Sequence, residues 1–299
     1  MKILLTGSSG FLGKYISKQL KDENEIFELS RSSNVYTFSL EKGVPLFKVN
    51  FDLVIHAAGK AHSIPKTEIE KQEFYDVNVL GTKNLLIGLE NSALPKEFVF
   101  ISSVSVYGQD SGKDIDENFF LGATDPYGLS KIEAEKVILE WCKERNIICT
   151  ILRLPLLVGE NAPGNLGAMI NAIDKGYYFN IGGGKAQKSM VLAKDVASLI
   201  TKVAQIGGTY NLTDGCHPNF NDLSTAISFN MNKRKPKNLP MNLALFISKL
   251  GDILGNRAPI NTLKLKKMTS DLTFNDNQAK MLLDWKPQSV LDYINNNKI

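Results

Sequence analysis

Tyr127 and Lys131 are the residues whose types and spacing most directly suggest proton chemistry. In Tyr127-Gly128-Leu129-Ser130-Lys131 a phenol and an ammonium stand four residues apart, which on a helix is one face. A free phenol ionises at about 10 and is a poor base at neutral pH, but a neighbouring ammonium favours the phenolate and makes it a usable acid–base. Asp125-Pro126 predicts a helix start that leaves Tyr127 at the exposed end. Such a pair also occurs by chance on amphipathic helices, so it needs company. Ser102, Ser103 and Ser105 follow the apolar run 98–101, which reads as a buried strand. Ligands of open α/β sheets sit at such strand ends, so one serine there can bond a reacting oxygen beside Tyr127.

A second constellation is Gly7-Ser8-Ser9-Gly10-Phe11-Leu12-Gly13, between the apolar run 3–5 and a helical pattern. That context is the dinucleotide fingerprint. Gly7 allows the tight turn, Gly10 lets backbone approach a pyrophosphate, and Gly13 permits close packing of helix on strand. The N–H groups of Gly10, Phe11 and Leu12 face the phosphates. An acidic residue about 20 positions on would hold the ribose hydroxyls of NAD. Here the second strand ends Leu29-Ser30-Arg31-Ser32. Arg31 can neutralise a ribose 2′-phosphate, so NADP is favoured over NAD, which stays compatible. Otherwise Arg31 is a solvated strand-end residue or stacks on adenine.

The elements that must position these groups alternate up to residue 158. Short strands at 3–5, 26–29, 53–56, 98–101 and 149–152 alternate with helical patterns at 11–21, 74–90 and 127–145. This reads as an α/β Rossmann fold, a doubly wound parallel sheet covered on both faces. After Val158 glycines and prolines break the alternation, and a smaller C-terminal substrate-binding lobe is expected over 159–299. Residues 188–213 are expected to return to the dinucleotide-binding domain, 1–158, so the two interleave. Met241–Leu254 is the most apolar later stretch, too short to span a bilayer; it reads as a core-facing helix, with membrane association the second choice. The basic run Lys233, Arg234, Lys235, Lys237 reads as a solvated loop, against an anionic surface partner.

Composition narrows the class further. The chain has 299 residues and a net charge of +4, short of a nucleic-acid footprint. No signal-peptide core opens it, and Cys142, Cys149 and Cys216 form neither a disulfide framework nor metal spacing, so a reducing cytoplasm is expected. His56, His62 and His217 share no metal spacing; His56 reads as a strand-end core residue, and no metal is assigned.

Taken together, these motifs resemble the extended short-chain dehydrogenase/reductase family of nucleotide-sugar epimerases, dehydratases and reductases. The glycine turn, His56-Ala57-Ala58-Gly59, Asn78-Val79-Leu80-Gly81-Thr82, Ser102–Gly108 and Tyr127–Lys131 fall in family order. The resemblance implies Ser103, Tyr127 and Lys131 as catalytic, with Lys131 also holding the cofactor ribose. It implies cofactor contacts from Gly7, Ser9, Gly10, Phe11 and Leu12, from Arg31, and from Ala57, Ala58, Gly59 and Asn78. Ile101, Ser102, Leu154 and Pro155 complete that surface, together with Tyr127 and Lys131. Ser103, Val104, Asn165 and Lys188 are implied as substrate-binding, Lys188 where the family usually has an arginine on the diphosphate. Leu282-Leu283-Asp284-Trp285-Lys286-Pro287 resembles the family's C-terminal Leu-Gly-Trp-x-Pro element, with Asp284 in place of glycine.

Two departures matter. The region between Arg31 and Asp52 is short and lacks the acidic residue that the family has after the third strand, so the family's adenine contacts are not expected there. The 4,6-dehydratases carry Asp-Glu after the catalytic threonine, whereas Val104-Ser105 stands here, so dehydration is not expected. The resemblance implies hydride transfer at C4 of a nucleotide-linked sugar, most like reduction of a UDP-4-keto-6-deoxy-N-acetylhexosamine for surface polysaccharide. A UDP-sugar 4-epimerase is the alternative and a non-catalytic dinucleotide sensor a remote one. A homodimer is compatible, and no membrane insertion is expected.

Overall fold

The structure, a computed structural model, describes residues 1–32, 35–61, 65–254 and 260–297. His62 lies outside the described residues.

In chain order the strands are β1 (Lys2–Thr6), β2 (Glu25–Ser30), β3 (Tyr36–Thr37), β4 (Leu53–His56), β5 (Glu97–Ser103), β6 (Gly112–Ile115) and β7 (Ile148–Leu154). They continue with β8 (Leu156–Val158), β9 (Phe179–Ile181), β10 (Met190–Leu192), β11 (Gly208–Asn211), β12 (Lys237–Leu239) and β13 (Leu272–Phe274). Seven of them form one sheet in the order β11-β7-β5-β4-β1-β2-β3, and every pair in it is parallel. The order reverses between β1 and β4, so the loops after these strands diverge and open a crevice at their carboxyl ends. Ile3, Leu4, Leu5, Leu53, Val54, Ile55, Phe98 and Val99 are wholly buried, because helices cover both faces. Ile16, Val196, Ile200 and Leu283 close one side; Leu85, Leu89, Ile138 and Trp141 close the other. Each such side chain contributes roughly 1.5–3 kcal/mol on leaving water.

The helix expected over 74–90 is longer and irregular. It begins at Glu68, where the Thr67 hydroxyl accepts from Glu70 N–H, and runs as α-helix to Tyr75. A π-helical turn, Asp76–Leu80, then precedes the α-helix Gly81–Glu90. Residues 68–73 are almost all polar, which hides the first turns from any apolar periodicity. The π turn carries Asn78.

Met241–Leu254 is helical but not core-facing: among its described side chains Ala244 and Ser248 are the buried ones, and Phe246, Leu250 and Ile253 stand exposed. Asp284 takes the left-handed conformation, φ 50 and ψ 43, that ends the helix Asn277–Leu283. A glycine suits that position without strain, and Asp is among the few residues that tolerate it.

Candidate active site

The glycine turn shows why two of its residues lack side chains. Gly7 has φ 72, and a Cβ there would lie 2.6 Å from Ala58 N, so the turn passes hard against the end of β4. A Cβ at Gly13 would lie 2.1 Å from the Gly7 carbonyl oxygen, so helix and turn touch backbone to backbone. The helix Phe11–Leu20 opens at Gly10 with no side-chain cap and no acidic residue in its first turn. Its first N–H groups and its positive dipole end therefore suit an anion. Beside it Ser8, Ser9, Lys14, Lys18, Ser30 and Ser32 line an open groove together with Glu28, and Arg31 is exposed at the end of β2.

β4 ends in His56, which is buried and held neutral: desolvation and then the Lys131 charge lower its pKa to about 3. The Thr82 hydroxyl donates to the Asn78 carbonyl at 2.7 Å, so it accepts from His56 Nε2 at 2.9 Å. That leaves His56 Nδ1 to accept from the Thr6 hydroxyl at 2.7 Å, while Thr6 Oγ1 accepts from Ala58 N–H at 3.2 Å. One neutral imidazole thus ties β1, β4 and the helix from Gly81. His217 is elsewhere, bonded through Nδ1 to the Ser189 hydroxyl at 2.9 Å.

Asp125 caps the helix Pro126–Glu144 by accepting from Tyr127 N–H at 3.1 Å and Gly128 N–H at 3.0 Å, with Pro126 at its first position. Tyr127 is half-buried against Phe74, ring centroids 6.0 Å apart. Burial pushes its phenol above the usual value; a hydrogen bond with Ser103 pulls it down, and Asp125 pushes it up again. The lowering expected from Lys131 is therefore not met. The Lys131 ammonium is turned to the Ile101 carbonyl at 2.9 Å and the Phe100 ring at 4.6 Å. Burial lowers its pKa to about 8, against an upward push from Glu135. A Cβ on Gly59 would meet Asn78 Oδ1 at 3.1 Å and Lys131 Nζ at 3.3 Å, so these three groups share one wall. Asn78 accepts from Lys60 N–H at 2.7 Å and donates to Ser130 Oγ at 2.8 Å.

Adjacent residues at the end of β5 point to opposite faces. Ser103 reaches Tyr127 and also accepts from Ser105 N–H at 3.2 Å. The Ser102 hydroxyl donates to Glu135 Oε1 at 2.5 Å, inside the fold. Glu135 is paired with Arg153, Nη2 to Oε2 2.8 Å, and both are buried. Arg153 Nη1 also donates to the Tyr107 hydroxyl at 3.1 Å and the Glu117 carbonyl at 3.1 Å. Leu154 is buried and Pro155 half-buried just beyond, and Val104 follows Ser103 at the start of a short 3-10 turn.

The two remaining expected residues lie on other elements. Asn165 is exposed on the first turn of the helix Gly164–Asp174. Lys188 is half-buried, and its ammonium donates to the Lys267 carbonyl at 3.0 Å. Burial lowers its pKa, against Asp271 and Asp110. Sequence reasoning missed Thr6, Thr82, Glu135, Arg153 and the groove lysines Lys14 and Lys18. Arg153 left a signal, a lone charge in the apolar run 151–157 that had to find a buried partner.

Residues 3–213 match the model of the NAD dependent epimerase/dehydratase family. The N-acetyl-alpha-D-glucosaminyl-diphospho-ditrans,octacis-undecaprenol 4-epimerase of Escherichia coli O157:H7 is 28% identical over 91% of this chain and 87% of its own. A UDP-glucose 4-epimerase of Vibrio cholerae is 26% identical over 97% of this chain and 92% of its own. The crystal structure of UDP-N-acetylglucosamine 4-epimerase from Bacillus cereus shares the fold, with TM-score 0.74 over 99% of this chain and 97% of that one at 22% identity.

Proposed function

Because the chain belongs to the NAD dependent epimerase/dehydratase family, we propose that it reduces C4 of a nucleotide-linked 4-keto sugar, a UDP-4-keto-6-deoxy-N-acetylhexosamine. It is an NAD(P)-dependent enzyme of the extended short-chain dehydrogenase/reductase type. The observation that carries the proposal is the meeting of Ser103 and the Tyr127 phenol at the carboxyl end of β5, where the Lys131 ammonium holds the Ile101 carbonyl two residues before Ser103.

The residues present fit a dinucleotide: an uncapped helix N-terminus with no acidic residue in its first turn, approached by backbone that tolerates no side chain at Gly7 or Gly13. When bound, the nicotinamide supplies the hydride. The turn from Gly7 through Ser9, Gly10, Phe11 and Leu12 holds the pyrophosphate, and Ala57, Ala58, Gly59, Asn78, Ile101, Leu154 and Pro155 line the rest of the path, to which Ser102, its hydroxyl turned to Glu135, brings backbone alone. Burial keeps the Tyr127 phenol protonated at neutral pH, so it starts as the acid and gives its proton to O4 of the ketone. Ser103 orients that oxygen. Lys131, still largely protonated at neutral pH, holds the ribose hydroxyls. Val104, Asn165 and Lys188 face the sugar nucleotide, Lys188 at its diphosphate.

Arg31, beside a groove that also offers Lys14, Lys18, Ser30 and Ser32, favours a ribose 2′-phosphate and hence NADPH. A net reductase profits from that pool, whereas an epimerase regenerates its cofactor each cycle. A second reading keeps the chemistry and changes the carrier to a polyprenyl diphosphate, as in the name of the Escherichia coli relative. The outward apolar side chains of Met241–Leu254 favour it.

The test is incubation of the purified protein with UDP-4-keto-6-deoxy-N-acetylhexosamine and NADPH or NADH, following nicotinamide absorbance and counting product independently. One NADPH oxidised per product is expected. Interconversion of two UDP-sugars with no net oxidation would leave the 4-epimerase in place of the reductase.

A further inference from the structure

The helix Met241–Leu254 is built inside out. The residues it turns inward, Ala244, Ser248 and Gly251, are all small, and the first two side chains are wholly buried. Its opposite face carries Phe246, Leu250 and Ile253, which are 61, 52 and 82% exposed. These recur at i, i+4 and i+7 and form one stripe, with Lys249 between them. The small residues of the helix are the ones the fold buries, and the large apolar side chains go where water is. The next helix, Thr262–Thr269, is joined to it through Asp252, whose carboxylate accepts from Thr262 N–H at 2.9 Å and from the Thr262 hydroxyl at 2.5 Å. It adds exposed Leu263 and Met268 beside exposed Lys266.

Charge is concentrated in the same segment. Residues 231–270 hold nine Lys and Arg and a single acidic residue, Asp252, so the rest of the chain is net −4 although the whole is +4. Arg234, Lys235 and Lys237 lead through Pro240 directly into the helix, and all three are exposed.

We propose that this helix pair is an interfacial docking face for an anionic lipid bilayer. An apolar stripe flanked by cations is the composition that buries side chains at the acyl boundary and holds lipid phosphates around them. No described helix is long and apolar enough to cross a membrane, and fourteen residues span only about 21 Å, so the helix lies in the plane of the surface. A second copy of the chain is the poorer occupant, because two-fold pairing of this face sets like charges against each other. The proposal concerns the surface alone and holds for either carrier of the sugar.

The test is flotation of the purified full-length protein with vesicles of phosphatidylglycerol and phosphatidylethanolamine, or of phosphatidylcholine alone, beside light scattering without vesicles. The protein is expected to float with the anionic vesicles and to be released by high salt. Phe246→Ser/Leu250→Ser/Ile253→Ser is expected to weaken partitioning by at least ~10-fold while cofactor oxidation with a water-soluble substrate is unchanged. Lys249→Glu/Lys266→Glu alters only exposed charge, and it must also weaken binding to anionic vesicles if the triple variant does not fold. No flotation of the wild type, or equal flotation of the folded triple variant or the charge variant, overturns the proposal. So does a dimer that the triple variant converts to monomer, which assigns the face to a second copy.

Discussion

Lys131 donates from its ammonium to the Ile101 carbonyl across 2.9 Å, which pins the helix carrying Tyr127 to the strand carrying Ser103. One buried cation thereby links the elements that carry a phenol and a hydroxyl 24 residues apart in sequence. The same cation helps to keep His56 neutral beneath the site.

Tyr127→Phe removes the proton and leaves the ring against Phe74. Cofactor binding, read by fluorescence titration, is expected to stay within about twofold, while turnover falls at least ~100-fold. Retained turnover would remove Tyr127 from the chemistry.

Arg31→Asp puts a like charge beside any ribose 2′-phosphate. The ratio of kcat/KM for NADPH over NADH is expected to fall by at least ~10-fold. An unchanged ratio would show that Arg31 does not choose the cofactor.

His56 titrates at about 3 in the folded protein and at about 6.5 when unfolded. Below pH 6.5 the unfolded chain takes up a proton that the folded imidazole refuses, so stability falls as pH falls toward 3. Between pH 6 and 5 this single group contributes a slope approaching about 1.4 kcal/mol per pH unit. Urea unfolding of the wild type and His56→Gln across that range checks it. The variant is expected to be less stable at pH 7 but flatter in pH, and parallel curves would contradict the neutral imidazole.

Arg153→Met strands the Glu135 carboxylate in the interior and is expected to cost about 3–5 kcal/mol in chemical denaturation. Arg153→Met/Glu135→Leu removes both charges and is expected to recover much of that loss. If the double variant is no more stable than the single one, the ion pair is not what the position requires.

Much of the frame can be read along the chain. Continuous apolar runs announce strands covered on both faces, and β1, β2, β4, β5 and β7 appear within a few residues of where those runs lie. The Gly7–Gly13 turn and the Asp125-Pro126 helix start are equally local, since each depends on backbone conformation and near neighbours. The site is half legible on the same grounds: Tyr127 and Lys131 share a helix face by spacing, and Ser103 stands at a strand end. What spacing does not convey is the environment of each group. The phenol is pushed up rather than down because burial outweighs the pull of Ser103, while the Lys131 cation faces the Ile101 carbonyl.

Tertiary structure alone decided the partners that lie far apart in sequence. His56 with Thr6 and Thr82, and Arg153 with Glu135, are polar groups whose burial forces pairing, but no local rule names the partner. The segment Met241–Leu254 marks the division between the two kinds of information. Its composition establishes an apolar helix, whereas the direction in which that helix faces depends on which side the rest of the fold can pack against. The fold buries the small residues Ala244, Ser248 and Gly251 and leaves Phe246, Leu250 and Ile253 outside, a choice that composition along the helix does not make.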